Sequence, residues 1–538
     1  MSKDNIRPQD IDRKDLDRLF TLDPLKFPKL PYPYEDWEEA PMDELSDAKK
    51  AMYNTSLDGA VNLTFPQIET KEQEEEMVAK FLAGLHKLFS KENNWTFLKP
   101  LMLTMDNCVK CNTCAEACPI FESSGRAEIY RPLFRSDILR RITRKYLTPG
   151  GKLAAKFTGS DIDVNYETLA RLAQLAYRCT LCRRCAQTCP MGCDNGLLSR
   201  EIRKLFSMEL GIHPKELHGD GTEKQLETGS STGLTPVALM DLMEFAEEDL
   251  TDRTGLEMKI PFDKSGADIL LIHNAGEFLS WPENLEAFTI IFEAAGLSWT
   301  LSSEMVGYDS VNYGLFYDDA QYARVTLKHA EVAKKLGVKK VVVGECGHAH
   351  KALMAIGDRV WLDESNIPRE SCMATLHDII MNERIMLDPS RNDFPVTMHD
   401  PCNLTRSMGI IQPQRDIIKK ICPQFREMTP HGCTNYCCGG GSGFAIMQSH
   451  NFPQWKMSIS GRKKFEQIIN AFTKEERSKD VRKYVCAPCS NCKGQIRDII
   501  NHYDAWERMT LQYGGLVELI VNAMTDVREG FIEWDDFH

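Results

Sequence analysis

Downstream of residue 266 the apolar positions fall into short unbroken runs: Ile269-Leu270-Leu271-Ile272, Val341-Val342-Val343, Val396-Thr397-Met398 and a stretch around Tyr484-Val485. Runs this short suit buried strands. Between them apolar residues recur at helical spacing, over Asn284 to Ala295, Gln321 to Leu336, Gln414 to Ile421, Gly461 to Phe472, Lys493 to Tyr503 and Leu516 to Met524. Alternation of strand and helix predicts parallel sheets with helices on both faces. Upstream, Met77, Val78, Phe81, Leu82, Leu85, Leu88 and Phe89 mark an amphipathic helix over Lys71 to Lys91, and Ser199 to Met208 reads as another. Residues 1–70 mix charge with Pro24, Pro28, Pro31, Pro33, Pro41 and Pro66 and with Phe20, Phe27, Tyr32, Tyr34 and Trp37, the texture of an extended arm that wraps a partner or its own body. Residues 213–262 are polar and rich in Gly, Thr and Ser apart from a helix at Val237 to Glu248, and read as a linker region. The predicted division is an arm at 1–70, a cysteine-rich domain at 71–212, the linker at 213–262 and an α/β domain at 263–538.

A chain of 538 residues exceeds one core, which fits two or three domains. Its net charge of -13 argues against a nucleic-acid partner. Residues 1–15 are polar and charged, and no run approaches membrane-span length, so a cytoplasmic, reducing location is expected. In such a compartment nineteen cysteines point to metal rather than disulfides.

The cysteines are patterned. Cys108-x2-Cys111-x2-Cys114-x3-Cys118-Pro119 returns after 60 intervening residues as Cys179-x2-Cys182-x2-Cys185-x3-Cys189-Pro190. Three cysteines at this spacing wrap a cubane, and the fourth ligates the other cluster. Cys108, Cys111, Cys114 and Cys189 are therefore assigned to one [4Fe-4S] cluster, and Cys179, Cys182, Cys185 and Cys118 to a second. A zinc site would use paired cysteines and leaves the third cysteine and the proline unexplained. Cys193 reads as a small buried side chain. The segment between the motifs carries Arg126, Arg131, Arg135, Arg140, Arg141, Arg144 and Lys145, either a solvated face compensating cluster charge or a dock for an acidic partner.

A third concentration lies at Cys437-Cys438-Gly439-Gly440-Gly441. Two adjacent thiols cannot both enter one packed interior from a helix or strand, whereas a glycine-permitted turn aims both at one inorganic target. With Cys402, Cys489 and Cys492 it makes a set of five. The stretches 267–350 and 394–497 look like a duplication, each with strands that end in candidate ligand loops. In the second these are His399-Asp400-Pro401-Cys402 and Pro488-Cys489-Ser490-Asn491-Cys492; in the first, His273-Asn274-Ala275-Gly276 and Glu345-Cys346-Gly347-His348, where only Cys346 survives. Ligands of open parallel sheets bind outside the carboxyl ends of the strands, so these loops and the Cys437-Cys438 turn can meet there. Cys346 is a candidate for redox or substrate contact.

Cys402, 34 intervening residues, Cys437-Cys438-Gly439 and then Cys489-x2-Cys492 together resemble the CCG domain of heterodisulfide reductases. The two ferredoxin motifs ahead of it resemble the fused, HdrD-type arrangement of that family, and within it the DsrK branch from sulfite-reductase-associated membrane complexes. The gap of 50 residues between Cys438 and Cys489 is longer than usual for the motif, and Cys486 offers a competing pair. The resemblance implies an α+β, ferredoxin-like helical two-cluster domain followed by a duplicated α/β parallel-sheet CCG domain. It implies that Cys402, Cys437, Cys438, Cys489 and Cys492 hold a catalytic [4Fe-4S] centre, cubane or noncubane, that acts on a sulfur–sulfur bond and is fed by two cubanes. It further implies a membrane haem b/quinone subunit (DsrM-like) as electron donor, a sulfur-carrier protein (DsrC-like) as substrate and a peripheral place on the cytoplasmic face of the inner membrane. The rival reading is an electron-transfer subunit between a flavin dehydrogenase and quinone, without sulfur chemistry.

Overall fold

Strands β1 (Ile269–Ile272), β2 (Trp299–Thr300), β3 (Lys340–Val343) and β4 (Arg369–Ser371) pair in parallel in the order β2-β1-β3-β4. Strands β5 (Val396–Met398), β6 (Phe425–Arg426), β7 (Lys483–Cys486) and β8 (Leu511–Gly514) form a second parallel sheet in the order β6-β5-β7-β8. The central strands are buried on both faces, which is why they read as apolar runs rather than as alternation. This computed structural model describes residues 6–16, 22–40, 63–304, 306–363, 366–447 and 453–534.

The two sheets share one connectivity, so their loops correspond. Ile272 is in register with Val343, and Met398 with Cys486. His273 and His399 each follow the last residue of the first strand, while Cys346 and Cys489 each stand three residues past the third. Both cysteines start a helix from extended backbone.

The cysteine-rich region is helical. Helix α1 (Lys71–Leu88) begins at a capping box of Thr70 and Gln73 and buries Met77, Phe81, Leu85 and Leu88 along one face. It is followed by α2 (Leu98–Asn107), α3 (Pro132–Tyr146), α4 (Tyr166–Tyr177) and α5 (Asn195–Leu210). Helix α5 is capped by the Asp194 side chain, ends at the left-handed Gly211 and is buried from Asn195 through Ser207. Its charges are therefore paired inside: Lys204 lies 3.0 Å from Asp319 and from Glu201, and Arg200 bonds both carboxylates. Asp319 opens α9 (Asp319–Leu336), so the pairing fastens the helical region to the first sheet.

Residues 216–228 and α6 (Pro236–Thr254) pack helically between the regions, with Gln225 donating to the Val311 carbonyl at 2.6 Å. After β1 come α7 (Ala275–Ser280) and α8 (Pro282–Ala294). Helix α10 (Arg462–Ala471) precedes β7, α11 (Ser490–His502) follows it, and α12 (Leu516–Asn522) follows β8. One core joins Phe81 and Phe206 to Tyr313, Tyr317, Phe444 and Trp455, and another joins Val342 and Phe288 to Met398, Cys486 and Leu519. Residues 22–40 lie against the second sheet, where Tyr34 packs edge-on to Phe465 and Phe465 stacks on Tyr503. Phe20, Pro41 and the arm's residues 41–62 lie outside the described residues. Among the described residues no helix is long and apolar enough to cross a membrane.

Candidate iron–sulfur centre and its cavity

Each ferredoxin-type motif alternates left-handed, non-glycine residues with its cysteines: Lys110 and Asn112 in the first, Leu181 and Arg183 in the second. Such conformations persist only where the surroundings over-determine them. Burial, then the charges of Cys108, Cys118 and Cys189, push the Cys114 thiol up to about 11. Cys118 faces the other motif: burial pushes it up to about 12, with Cys182 and Cys179 beside it, and it neighbours Cys185 in turn. Cys114 thus has Cys108, Cys118 and Cys189 as neighbours, and Cys118 has Cys182 and Cys179. Cys111 is exposed, whereas Cys179 and Cys185 are buried. Cys193 is buried against Cys189, to whose Sγ its N–H donates at 3.3 Å.

The CCG cysteines gather at the carboxyl ends of β5 and β7. Cys437 Sγ lies 3.5 Å from Thr180 Oγ1 and accepts from the Gly439 N–H at 3.4 Å; its thiol also bonds Cys182, Cys402 and Cys438. Hydrogen bonds with Cys437 and Cys492 draw Cys438 well below the ordinary thiol range, and contacts with Cys438 and Cys489 push Cys492 well above it. The ligand atoms of His399, Cys438 and Cys492 all lie within 4.8 Å of one another. Gly439 has φ +99, and a side chain there would strike the backbone of Ser460 and Gly461 at under 3 Å, so the turn admits only glycine. Cys486 lies inside β7, buried, while Cys489 and Cys492 stand at the loop and the first turn of α11.

These donors suit an iron–sulfur cluster. They are soft, they converge, they are buried, and His399 Nε2 finds no partner among the described residues. Cationic side chains surround them. Lys464 is wholly buried, donates to Asn435 Oδ1 at 2.9 Å, and burial pushes its ammonium down to about 7.

Three arginines weld the second ferredoxin loop to the CCG turn. Arg406 donates to the carbonyls of Cys182 at 2.7 Å, Asn435 at 2.9 Å and Cys433 at 3.0 Å. Arg203 donates to the Cys179 carbonyl at 2.6 Å and to the Ser442 carbonyl at 3.3 Å, and Arg184 spans Ala117 and Thr434. Sequence reasoning missed all three, because no local spacing distinguishes them from surface arginines. Of the basic residues singled out between the motifs, Arg135 and Arg140 are buried; Arg140 donates to the carbonyls of Met105 and Thr104.

Cys346 is wholly buried next to Cys489. Its sulfur accepts from Asn274 Nδ2 at 3.4 Å, burial pushes its thiol up to about 11, and the adjacent Gly347 N–H donates to Cys489 Sγ at 3.3 Å. Nearby, His348 pairs with Asn491 at 2.7 Å. A cavity of about 470 Å³ adjoins this edge, bounded by Asn274, Trp281, Tyr313, Gly440, Asn491 and Arg497.

Residues 104–193 match the 4Fe-4S dicluster domain family, and residues 396–497 match the CCG cysteine-rich domain family. The chain is 26% identical over 466 residues to the Hdr-like menaquinol oxidoreductase iron-sulfur subunit 2 of Archaeoglobus fulgidus, across 78% of this chain and 80% of that one. It is 24% identical over 352 residues to the D-type subunit of the dihydromethanophenazine:CoB–CoM heterodisulfide reductase of Methanosarcina acetivorans, across 64% and 79%. This chain is similar to the heterodisulfide reductase D-like iron–sulfur proteins. A looser similarity, 22% over 402 residues, links it to the EtfAB:quinone oxidoreductase of Syntrophomonas wolfei, of which it spans 50%. The chain combines a dicluster domain with a CCG domain, an arrangement for electron transfer.

Proposed function

We propose that this protein is the catalytic iron–sulfur subunit of a membrane-associated redox complex, peripheral on the cytoplasmic face, that reduces, or reversibly forms, a disulfide or trisulfide on a sulfur-carrier protein of the DsrC kind. The observation that carries the reading is the position of the CCG turn. Cys437 contacts Thr180 and Cys182 of the second ferredoxin motif on one side, and Gly440 borders the cavity on the other. Electrons and a sulfur substrate could thus reach one site from opposite directions. Bound there, iron–sulfur clusters supply one-electron steps and a soft Lewis acid for sulfur. We assign Cys108, Cys111, Cys114 and Cys189 to one cubane, Cys179, Cys182, Cys185 and Cys118 to the other, and Cys402, Cys437, Cys438, Cys489 and Cys492 to the catalytic centre.

The chain's own groups define what enters. Arg497 and Trp281 form one wall, with the guanidinium 5.2 Å from the indole, and suit a peptide tail with a terminal carboxylate. Asn274 borders the cavity and holds Cys346, to which we assign contact with the substrate sulfur. An exposed apolar rim of Met102, Leu103, Val109 and Met191 around the first motif supports docking of a haem b/quinone membrane subunit there. The shared connectivity of the two sheets supports an ancestral duplication in which Cys346 is the counterpart of Cys489. On this reading residues 1–70 are a partner-binding arm, 71–212 the two-cluster domain, 213–262 a connector and 263–538 the duplicated domain.

Oxidising the isolated protein and recording EPR with and without a thiol-bearing carrier tail tests the function. A new paramagnetic species that shifts on adding thiol is expected; silence in both samples overturns the reading. Cys438→Ala should abolish that species and leave the two cubane signals. The similarity to EtfAB:quinone oxidoreductase favours a second reading, electron transfer to or from quinone without sulfur chemistry, for which the thiol has no effect on any signal.

A further inference from the structure

We propose that a buried group of carboxylates at the junction of the two sheets, Glu277, Glu345 and Glu518 around Lys493, conducts protons between solvent and the cavity beside Cys489. This rests on the sulfur-reductase reading. Cleaving R–S–S–R′ to RSH and R′SH breaks one S–S bond, forms two S–H bonds, and takes up two electrons and two protons. The electrons come from the quinol-class donor of that reading. The protons come from water, and every CCG cysteine except Cys402 is buried.

The four residues come from four elements: Glu277 from α7, Glu345 from the loop after β3, Lys493 from α11 and Glu518 from α12. Lys493 Nζ lies 2.6 Å from Glu277 Oε2 and 3.2 Å from Glu518 Oε1, and all three side chains are essentially inaccessible. Asn284 Nδ2 bridges Glu345 Oε2 and Glu518 Oε1 at 3.1 Å each, and the Leu516 N–H donates to Glu345 Oε1 at 2.9 Å. A structural ion pair would need one carboxylate for one ammonium. Three carboxylates about a single cation cannot all stay ionised without solvent, so the group stores protons. Burial raises Glu277 well above the carboxylate range, and burial followed by the charge of Glu518 pushes Glu345 up to about 8. Glu283, pushed up to about 7 by burial, neutral His273, pushed down to about 3 by burial and then Lys493, and Tyr484, Cys372 and Cys486, all held well above their ordinary ranges by burial, also face it.

The group lies between two cavities. Glu518 and Glu283 line one of about 320 Å³ that leads to the half-exposed Glu533. Gly276 and Gly494, the chain neighbours of Glu277 and Lys493, line the cavity beside the CCG turn together with Ser490. Glu277 Oε1, Glu518 Oε2 and Ser490 Oγ have no hydrogen-bond partner among the described residues, which leaves acceptors for a moving proton along the way.

The test uses the purified holo-complex with Glu277→Gln and Glu518→Gln, which keep shape and remove the transferable proton. Disulfide reduction is followed against pH and in D2O, with cluster reduction read by EPR in the same samples. Turnover falling about a hundredfold, with a changed pH profile and solvent isotope effect and unchanged cluster signals, is the expected result. Glu277→Asp should recover part of the rate. Unchanged turnover and pH profile in both variants would overturn the relay. Should both variants lose their clusters, redox-difference infrared spectra of the unsubstituted protein decide: a carboxylic C=O band that shifts in D2O supports the relay, and its absence refutes it. An unsubstituted protein that reduces no disulfide instead overturns the functional reading, and the relay with it.

Discussion

Arg406 shows how one side chain joins two cofactor loops. Burial disfavours its cation, yet the neighbouring Cys182, Cys402 and Cys437 outweigh that cost and raise its pKa, so it stays charged among thiolates. Arg406→Met removes the donor to the carbonyls of Cys182, Cys433 and Asn435. Buried carbonyls without partners and the lost charge should cost about 3 kcal/mol, measured as a lower denaturation midpoint. The midpoint potential of the second ferredoxin-type centre should also fall, because a cation near a cluster favours its reduced form; an unchanged potential would mean that Arg406 acts only on the fold. No periodicity or spacing flags such a residue, since its role depends on which loops the fold brings together. Cys346 was different, because its place after a short apolar run between Gly344 and Gly347 already marked a strand end.

At the level of elements the long helices and the central strands were legible. The apolar runs at Val396-Thr397-Met398 and Ile269 to Ile272 coincide with β5 and β1, and the expected helix from Gln321 to Leu336 lies within α9. The edge strands were not: β2 and β6 have two residues each, too few to show alternation, and exist because a neighbour pairs with them. Residues 22–40 carry a prediction of their own. Glu39 bonds Arg462, Ser458 at 2.7 Å and Tyr503 at 2.9 Å, while Arg462 also holds the Pro28 carbonyl at 2.7 Å. Breaking this buried pair with Glu39→Ala should loosen residues 22–40 by about 3–5 kcal/mol, seen as faster local hydrogen exchange. Burial alone would raise Glu39, but hydrogen bonds from His502 and Ser458 and the charge of Arg462 hold it at about 2, below its unfolded value of 4.5. Its contribution is therefore full above about pH 4.5 and is lost as pH falls from there toward about 2. Pepsin nicking of this segment should accordingly differ most between the two proteins near pH 4.5, and least near pH 2.

Across the described residues the three cysteine sets run from surface to interior: Cys111 is exposed, Cys182 is half-buried, and Cys437 and Cys438 are buried in the turn whose Gly440 borders the cavity. Such an order gives an electron one sensible point of entry, the first motif. Around it Met102, Leu103, Val109 and Met191 keep between 41% and 62% of their surface exposed, although the molecule has ample core in which to place apolar side chains. Val109 stands directly after Cys108, and Leu103 lies near enough to Gly192 to meet a side chain placed there, so the rim adjoins the thiols. Leu103→Glu with Val109→Lys would put charge on this exposed face. The doubly substituted protein should keep its iron content and thermal stability, keep reducing disulfide with a soluble artificial donor, and lose copurification with the membrane partner together with quinol-driven turnover. If quinol-driven turnover survives, electrons enter elsewhere, and the exposed helix bearing Leu153 and Phe157 becomes the face to alter next.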